Sequence, residues 1–155
     1  SIAAFEQAIT SGEQYATKGD YSTALKMFDD AKSSYNASFI PSYYKGIADN
    51  HITENINRLA EECYDLLSKK KYTSVKNLIN SVPSNLLSEN KTRSEKIERI
   101  QLDLNKAIEN GLDHMILNIS KNNGHLDESS KEELKELLNV NPNDYWLNFI
   151  QKKEK

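Results

Sequence analysis

The chain has 155 residues, enough for one domain with a real core. Its 20 basic and 23 acidic residues are well mixed and leave a formal charge of −3, which excludes an electrostatic funnel for nucleic acid or an anionic membrane. A hydrophobic fraction of 37% with only 5 glycines and 3 prolines suits a thin stack of helices joined by short connections.

The first stretch sets the pattern. Ile2, Phe5, Ile9 and Gly12 recur at three- and four-residue steps, as do Tyr21, Ala24, Leu25, Phe28 and Ala31. Both are helical stripes. Between them Gly19 can adopt the left-handed conformation that ends a helix, and Asp20 can accept from the free amides that open the next one. Small residues (Ala8, Gly12, Ala24, Ala31) alternate with large ones (Tyr15, Tyr21, Leu25, Phe28), which lets two antiparallel helices approach closely.

Gly12, Tyr15, Gly19, Asp20, Tyr21, Ala24, Phe28 and Ala31 stand in the register of a tetratricopeptide (TPR) repeat. The stretch from about residue 5 to 38 resembles that family, whose repeat is about 34 residues long. One departure is Asn36, where the family often has proline; Pro41 comes later. The resemblance implies a stack of antiparallel helical hairpins and a protein- or peptide-binding role, with exposed first-helix residues on the concave side. Glu6, Thr10 and Glu13 occupy such positions here.

Residues 36 to 41 form a connection, with Pro41 at the first position of a third helix. That helix runs from about residue 41 to 69 on the stripe Tyr44, Ile47, Ala48, Ile52, Ile56, Leu59, Cys63, Leu66 and Leu67, and at ~1.5 Å per residue exceeds about 40 Å. Lys69, Lys70 and Lys71 end it, cations at the negative end of the helix dipole. Tyr72, Val75, Leu78, Ile79 and Val82 follow and stop at Pro83; Lys70-Lys71-Tyr72 then stand where Gly19-Asp20-Tyr21 stood, a degenerate second unit. Residues 83 to 91 read as a polar turn holding Leu86 and Leu87. Thr92 and Glu95 form a capping box. A second long stripe runs through Ile97, Ile100, Leu104, Ala107, Ile108, Leu112, Met115, Ile116 and Ile119 to the stop at Lys121-Asn-Asn-Gly124. Ser129 and Ser130, each with a glutamate three residues on, open a helix on Leu134, Leu137, Leu138 and Val140. Pro142 opens a last helix carrying Tyr145, Trp146, Phe149 and Ile150, which caps the stack.

No converging catalytic set is visible. His51, His114 and His125 lie far apart without metal-ligand spacing, and no phosphate loop or nucleophile–base order is present. Cys63, the single cysteine, sits on an apolar stripe and excludes an internal disulfide. No cofactor or metal is expected. Among the eight tyrosines, Tyr15, Tyr21 and Tyr44 fall on core stripes, while Tyr35, Tyr43 and Tyr64 reach the surface; tyrosine both fills helix crossings and makes interface contacts.

The expected fold is all-α: antiparallel hairpins stacked as a TPR-like right-handed superhelix of about seven helices, two of them long, in one domain over residues 1–155. The chain starts at Ser1 and is in helical pattern by Ile2, which suggests a domain excised from a longer protein. No apolar run nears the roughly 20 residues of a membrane span, and the residues contain no signal-peptide pattern. The expected function is a non-catalytic module holding a protein or peptide, with no nucleic acid and no membrane insertion within the chain. A composition rich in Lys, Asn and Ile and poor in Arg suits a low-GC bacterium, where such a module serves as the extracytoplasmic sensing or scaffolding part of a membrane-anchored receptor or kinase; a cytoplasmic setting stays open. The alternative is a structural spacer or homo-oligomerisation domain using the long helices.

Overall fold

The computed structural model describes residues 2–36, 42–121, 123–142, 146 and 148, and among these every regular element is an α-helix. In chain order the helices are α1 (Ile2–Thr17), α2 (Tyr21–Asn36), α3 (Ser42–Ser68), α4 (Tyr72–Asn80), α5 (Ser84–Ser88), α6 (Lys91–Lys121) and α7 (Glu128–Val140). The all-α expectation holds for the described residues, and α3 and α6 are the two long helices. The membership differs in one place: residues 84–88, expected as a polar turn, form a short helix, because Leu86 has a fully buried site to fill. Pro41 lies outside the described residues. Of the expected last helix, Tyr145, Phe149 and Ile150 also lie outside them; Trp146 and Asn148 are helical and Trp146 is buried.

The chain divides into two compact units. The first comprises Ser1–Glu62 and Leu78–Glu98, the second Cys63–Asn77 and Arg99–Lys155. The divisions fall within α3, α4 and α6, so three helices contribute to both.

In the first unit, α1 packs against α2. The turn between them closes as the sequence implies. Gly19 takes φ 82°, the Asp20 amide donates to the Tyr15 carbonyl (3.0 Å), and the Gly19 amide donates to that of Ala16 (2.9 Å). Asp20 caps α2 by accepting from the Thr23 amide at 3.2 Å. Gly12 permits the close crossing: a Cβ there would lie 2.8 Å from Phe28 Cδ1, inside the ring's van der Waals surface. Phe5, Ala24, Leu25, Phe28, Ala31, Ala48, Ile52, Ile56, Leu59, Leu86 and Ile97 form the core, and each fully buried Leu, Ile or Phe contributes roughly 1.5–3 kcal/mol relative to exposure. Ile2, expected on the α1 stripe, is 47% exposed.

In the second unit the α3–α4 turn repeats the first closure without a glycine. The Lys71 amide donates to Leu66 and the Lys70 amide to Leu67, and Lys70 holds φ 59°. The three lysines thus form the turn rather than the last helical turn. Lys70 pairs with Glu133, and Lys69 with Asp65. No aspartate precedes α4 as Asp20 precedes α2; instead Glu136 of α7 accepts from the Thr73 amide at 2.8 Å. Cys63, Tyr72, Val75, Ile100, Leu104, Ile108, Met115, Leu134, Leu137, Leu138 and Trp146 are buried here. Ile116, expected on the α6 stripe, is exposed together with Leu117.

Two helix starts also differ from expectation. Asn90, not Thr92, caps α6, its side-chain oxygen accepting from the Arg93 amide at 3.1 Å. Asp127, not Ser129 or Ser130, caps α7, accepting from the Ser130 amide at 2.7 Å. In both cases the cap lies upstream of the hydroxyl residues, which fall inside the first turn; Ser130 is buried, and its hydroxyl accepts from Asn118 of α6 at 3.4 Å.

Candidate functional site

Glu6, Thr10 and Glu13 are all exposed on α1, but the structure separates them. Glu6 and Thr10 line an open groove of about 490 Å³ between α1 and the start of α3, together with Phe5, Ile9, Tyr43, Tyr44 and Ile47. Glu13 faces another neighbour. Its carboxylate lies 3.3 Å from Nδ1 of His51, whose ring stacks on Phe28 at 5.1 Å and 26°. His51 therefore belongs to the α1–α2–α3 packing and is half-buried, whereas His114 and His125 are exposed.

The groove is built from three rings. Tyr44 is held edge-on by Phe5 (5.5 Å, 78°) and by Tyr43 (5.4 Å, 79°), both favourable aromatic geometries. Tyr44, on the expected core stripe, is half-buried. Tyr43 is 70% exposed. Adjacent helical residues point about 100° apart, so with Tyr44 on the core stripe Tyr43 lies off it; that was the available signal for Tyr43. Nothing in the spacing shows that Phe5, Ile9 and Ile47 reach the same groove, because that depends on the α1–α3 crossing.

A second feature gave no sequence signal. Arg93 of α6 is 3% exposed and donates to Thr53 Oγ1 (3.2 Å), the Leu86 carbonyl (3.5 Å), Glu89 (3.0 Å), and both the carbonyl (3.1 Å) and carboxylate (3.4 Å) of Asp49. Lys32 of α2 binds the same two carboxylates, Asp49 at 2.8 Å and Glu89 at 3.0 Å. Burial by itself would lower the Lys32 pKa, but its hydrogen bonds to and attraction by Asp49 and Glu89 outweigh this and raise it. Two cations and two anions balance, and the donors of Arg93 are turned inward, so the cluster is a clamp joining α2, α3 and α6 rather than an anion site.

Two further depressions lie in the second unit. One, of about 490 Å³, sets Lys69, Lys70 and Lys71 against Glu132, Glu133 and Glu136; the other, of about 380 Å³, is lined by Lys76, Gln101, Asn105, Ile108, Glu109, Val140 and Asn141. Both are lined mainly by polar groups, and in the first Lys70 pairs with Glu133 while Glu136 accepts from the Thr73 amide. Tyr64 donates to Asp103 at 2.9 Å, and its phenol pKa is raised by desolvation and then by that bond. Among the described residues no three His, Cys, Asp or Glu side chains are grouped so as to hold a metal ion, and no helix is long and apolar enough to cross a membrane.

Comparison with family models, with curated proteins and with solved structures finds no match, so the site rests on its own geometry within an all-α protein.

Proposed function

We propose that this chain is a non-catalytic module that binds a protein or peptide, built on helical hairpins of the TPR kind. The observation that carries the reading is the groove between α1 and α3, where an exposed tyrosine, a carboxylate and a hydroxyl stand over an apolar floor. Support for the repeat comes from the two turns, at Gly19 and Lys70, which close with the same pair of backbone hydrogen bonds. Their separation is about one and a half repeat lengths at about 34 residues per repeat, because α3 alone has 27 residues. The family's superhelical arrangement, and a place for the module in a membrane-anchored bacterial receptor or kinase, belong to the same proposal.

Selection from a random peptide library tests it. The wild-type chain should enrich a consensus that Tyr43→Ala together with Glu6→Lys abolishes, without change in melting temperature. An unchanged consensus would remove this groove as the site.

A second reading, self-association as a spacer, draws on α6, where Leu102, Ile116 and Leu117 are exposed large apolar residues. On α3, in contrast, the large apolar residues exposed among those described are Tyr43 and Tyr64, at opposite ends of the helix, with a buried stripe between. Sedimentation equilibrium separates the two readings: a dimer that Leu117→Glu dissociates would favour the spacer.

A further inference from the structure

We infer that the α1–α3 groove is an arginine-side-chain receptor, selecting peptides that carry a guanidinium. This rests on the reading of the groove as the binding surface and adds the chemistry of what it holds.

The charge of the groove is one-sided. Among the described residues Glu6 is the single charged one lining it, and α1 carries no lysine or arginine over Ile2–Thr17. Glu13, the other acid of α1, lies beside His51 outside the groove, and among the described residues no cation lines the groove with Glu6. Phe5, Ile9 and Ile47 supply an apolar floor for an alkyl stem. Tyr43 and Tyr44 meet nearly at right angles and form a corner of two rings, with Phe5 also packed edge-on to Tyr44. An aromatic face attracts a cation, and a carboxylate at the rim accepts its hydrogens.

Arginine fits these parts better than lysine. Its planar guanidinium stacks on a ring while its edge forks onto a carboxylate, and it sheds water more readily than an ammonium. A phosphate or carboxylate ligand would meet Glu6 and no cation among the described lining residues. A purely apolar side chain would leave Glu6 and the Thr10 hydroxyl unused and partly desolvated.

The test uses acetylated, amidated pentapeptides of alanine with a varied central residue, titrated into the labelled chain and followed by amide chemical shifts. The arginine peptide is expected to shift Glu6, Thr10 and Tyr43 and to bind about three- to five-fold tighter than its lysine or citrulline counterparts. Tyr43→Leu and Glu6→Gln should each weaken the arginine peptide about three-fold or more, whereas Tyr43→Phe, which keeps the ring, should not. Both sites are exposed, so melting temperatures serve as the control for folding. If citrulline or leucine peptides shift the groove as strongly as arginine, the arginine assignment fails while the groove remains a binding surface. If no central residue shifts the groove, the assignment and the reading beneath it both fail.

Discussion

Replacing Arg93 with methionine tests whether the buried clamp holds the first unit together. Methionine keeps much of the apolar stem and removes the guanidinium. The loss takes away five hydrogen bonds, to Thr53, Leu86, Glu89 and the carbonyl and carboxylate of Asp49. Removing one partner of a buried ion pair costs roughly 3–5 kcal/mol when the other charge is left uncompensated. Here the orphaned acids are better off: the Asp49 and Glu89 side chains are 41% and 33% exposed, and Lys32 stays on both. The penalty therefore falls to about 2–3 kcal/mol, mostly lost charge-assisted bonds and the stranded Leu86 carbonyl. At about 2–4 °C per kcal/mol for a chain of this size, melting should drop by about 4–12 °C, read by circular dichroism at 222 nm and by urea midpoint. Arg93→Lys should recover only part of this, since one ammonium cannot span acceptors on α3, on α5 and on Glu89 just after it. Lys32→Met added to Arg93→Met should cost more than the two single changes together, because the carboxylates then lose both cations. The raised Lys32 pKa places its own contribution fully below its unfolded value of 10.5, lost as pH rises through the folded value, so it is intact at neutral pH. An Arg93→Met melt within about 1 °C of wild type would refute the clamp.

Gly12→Val forces a side chain into the Phe28 ring and should cost about 1–3 kcal/mol, read from the urea midpoint; a wild-type midpoint would mean that α1 and α2 do not cross there. Lys70→Gly relieves a left-handed residue at φ 59°, worth about 1–2 kcal/mol, against the entropy of glycine and an exposed ion pair. It should raise stability by about 0.5 kcal/mol, and a lowered melting temperature would count against the turn geometry. Asp127 has its pKa lowered by the hydrogen bond from the Ser130 amide and then that from the Ser130 side chain. Its capping contribution is therefore present above the unfolded value of 3.8 and lost as pH falls through the depressed folded value. Asp127→Ala should melt below wild type near neutral pH and match it near pH 2; a gap that persists in acid would show a role other than capping.

The helices and the first turn were legible because their signals are local. A stripe at three- and four-residue steps, a glycine that can take positive φ and an aspartate beside free amides act within a few residues of one another, so Gly12, Gly19, Asp20 and Phe28 could be read without neighbours. The starts of α6 and α7 were misplaced because Asn90 and Asp127 compete with nearby Thr92, Ser129 and Ser130, and the choice among adjacent caps depends on which side chains the tertiary fold buries, as it does Arg93 and Ser130. The same holds for α5: a polar five-residue stretch has no helical stripe, and the buried site for Leu86 organises it. The second turn shows the limit most clearly. Lys70 carries no mark of a left-handed residue, and α4 lacks a cap in its own sequence; the Glu133 and Glu136 carboxylates of α7 bind the Lys70 ammonium and the Thr73 amide from across the fold. Spacing placed Glu6, Thr10 and Glu13 on one polar face, but only the crossing with α3 set Glu6 and Thr10 beside Tyr43 and turned Glu13 to His51. Arg93 stayed hidden for the same reason, since a charged residue in a polar first turn becomes a buried clamp only when α2 and α3 bring Lys32 and Asp49 to it.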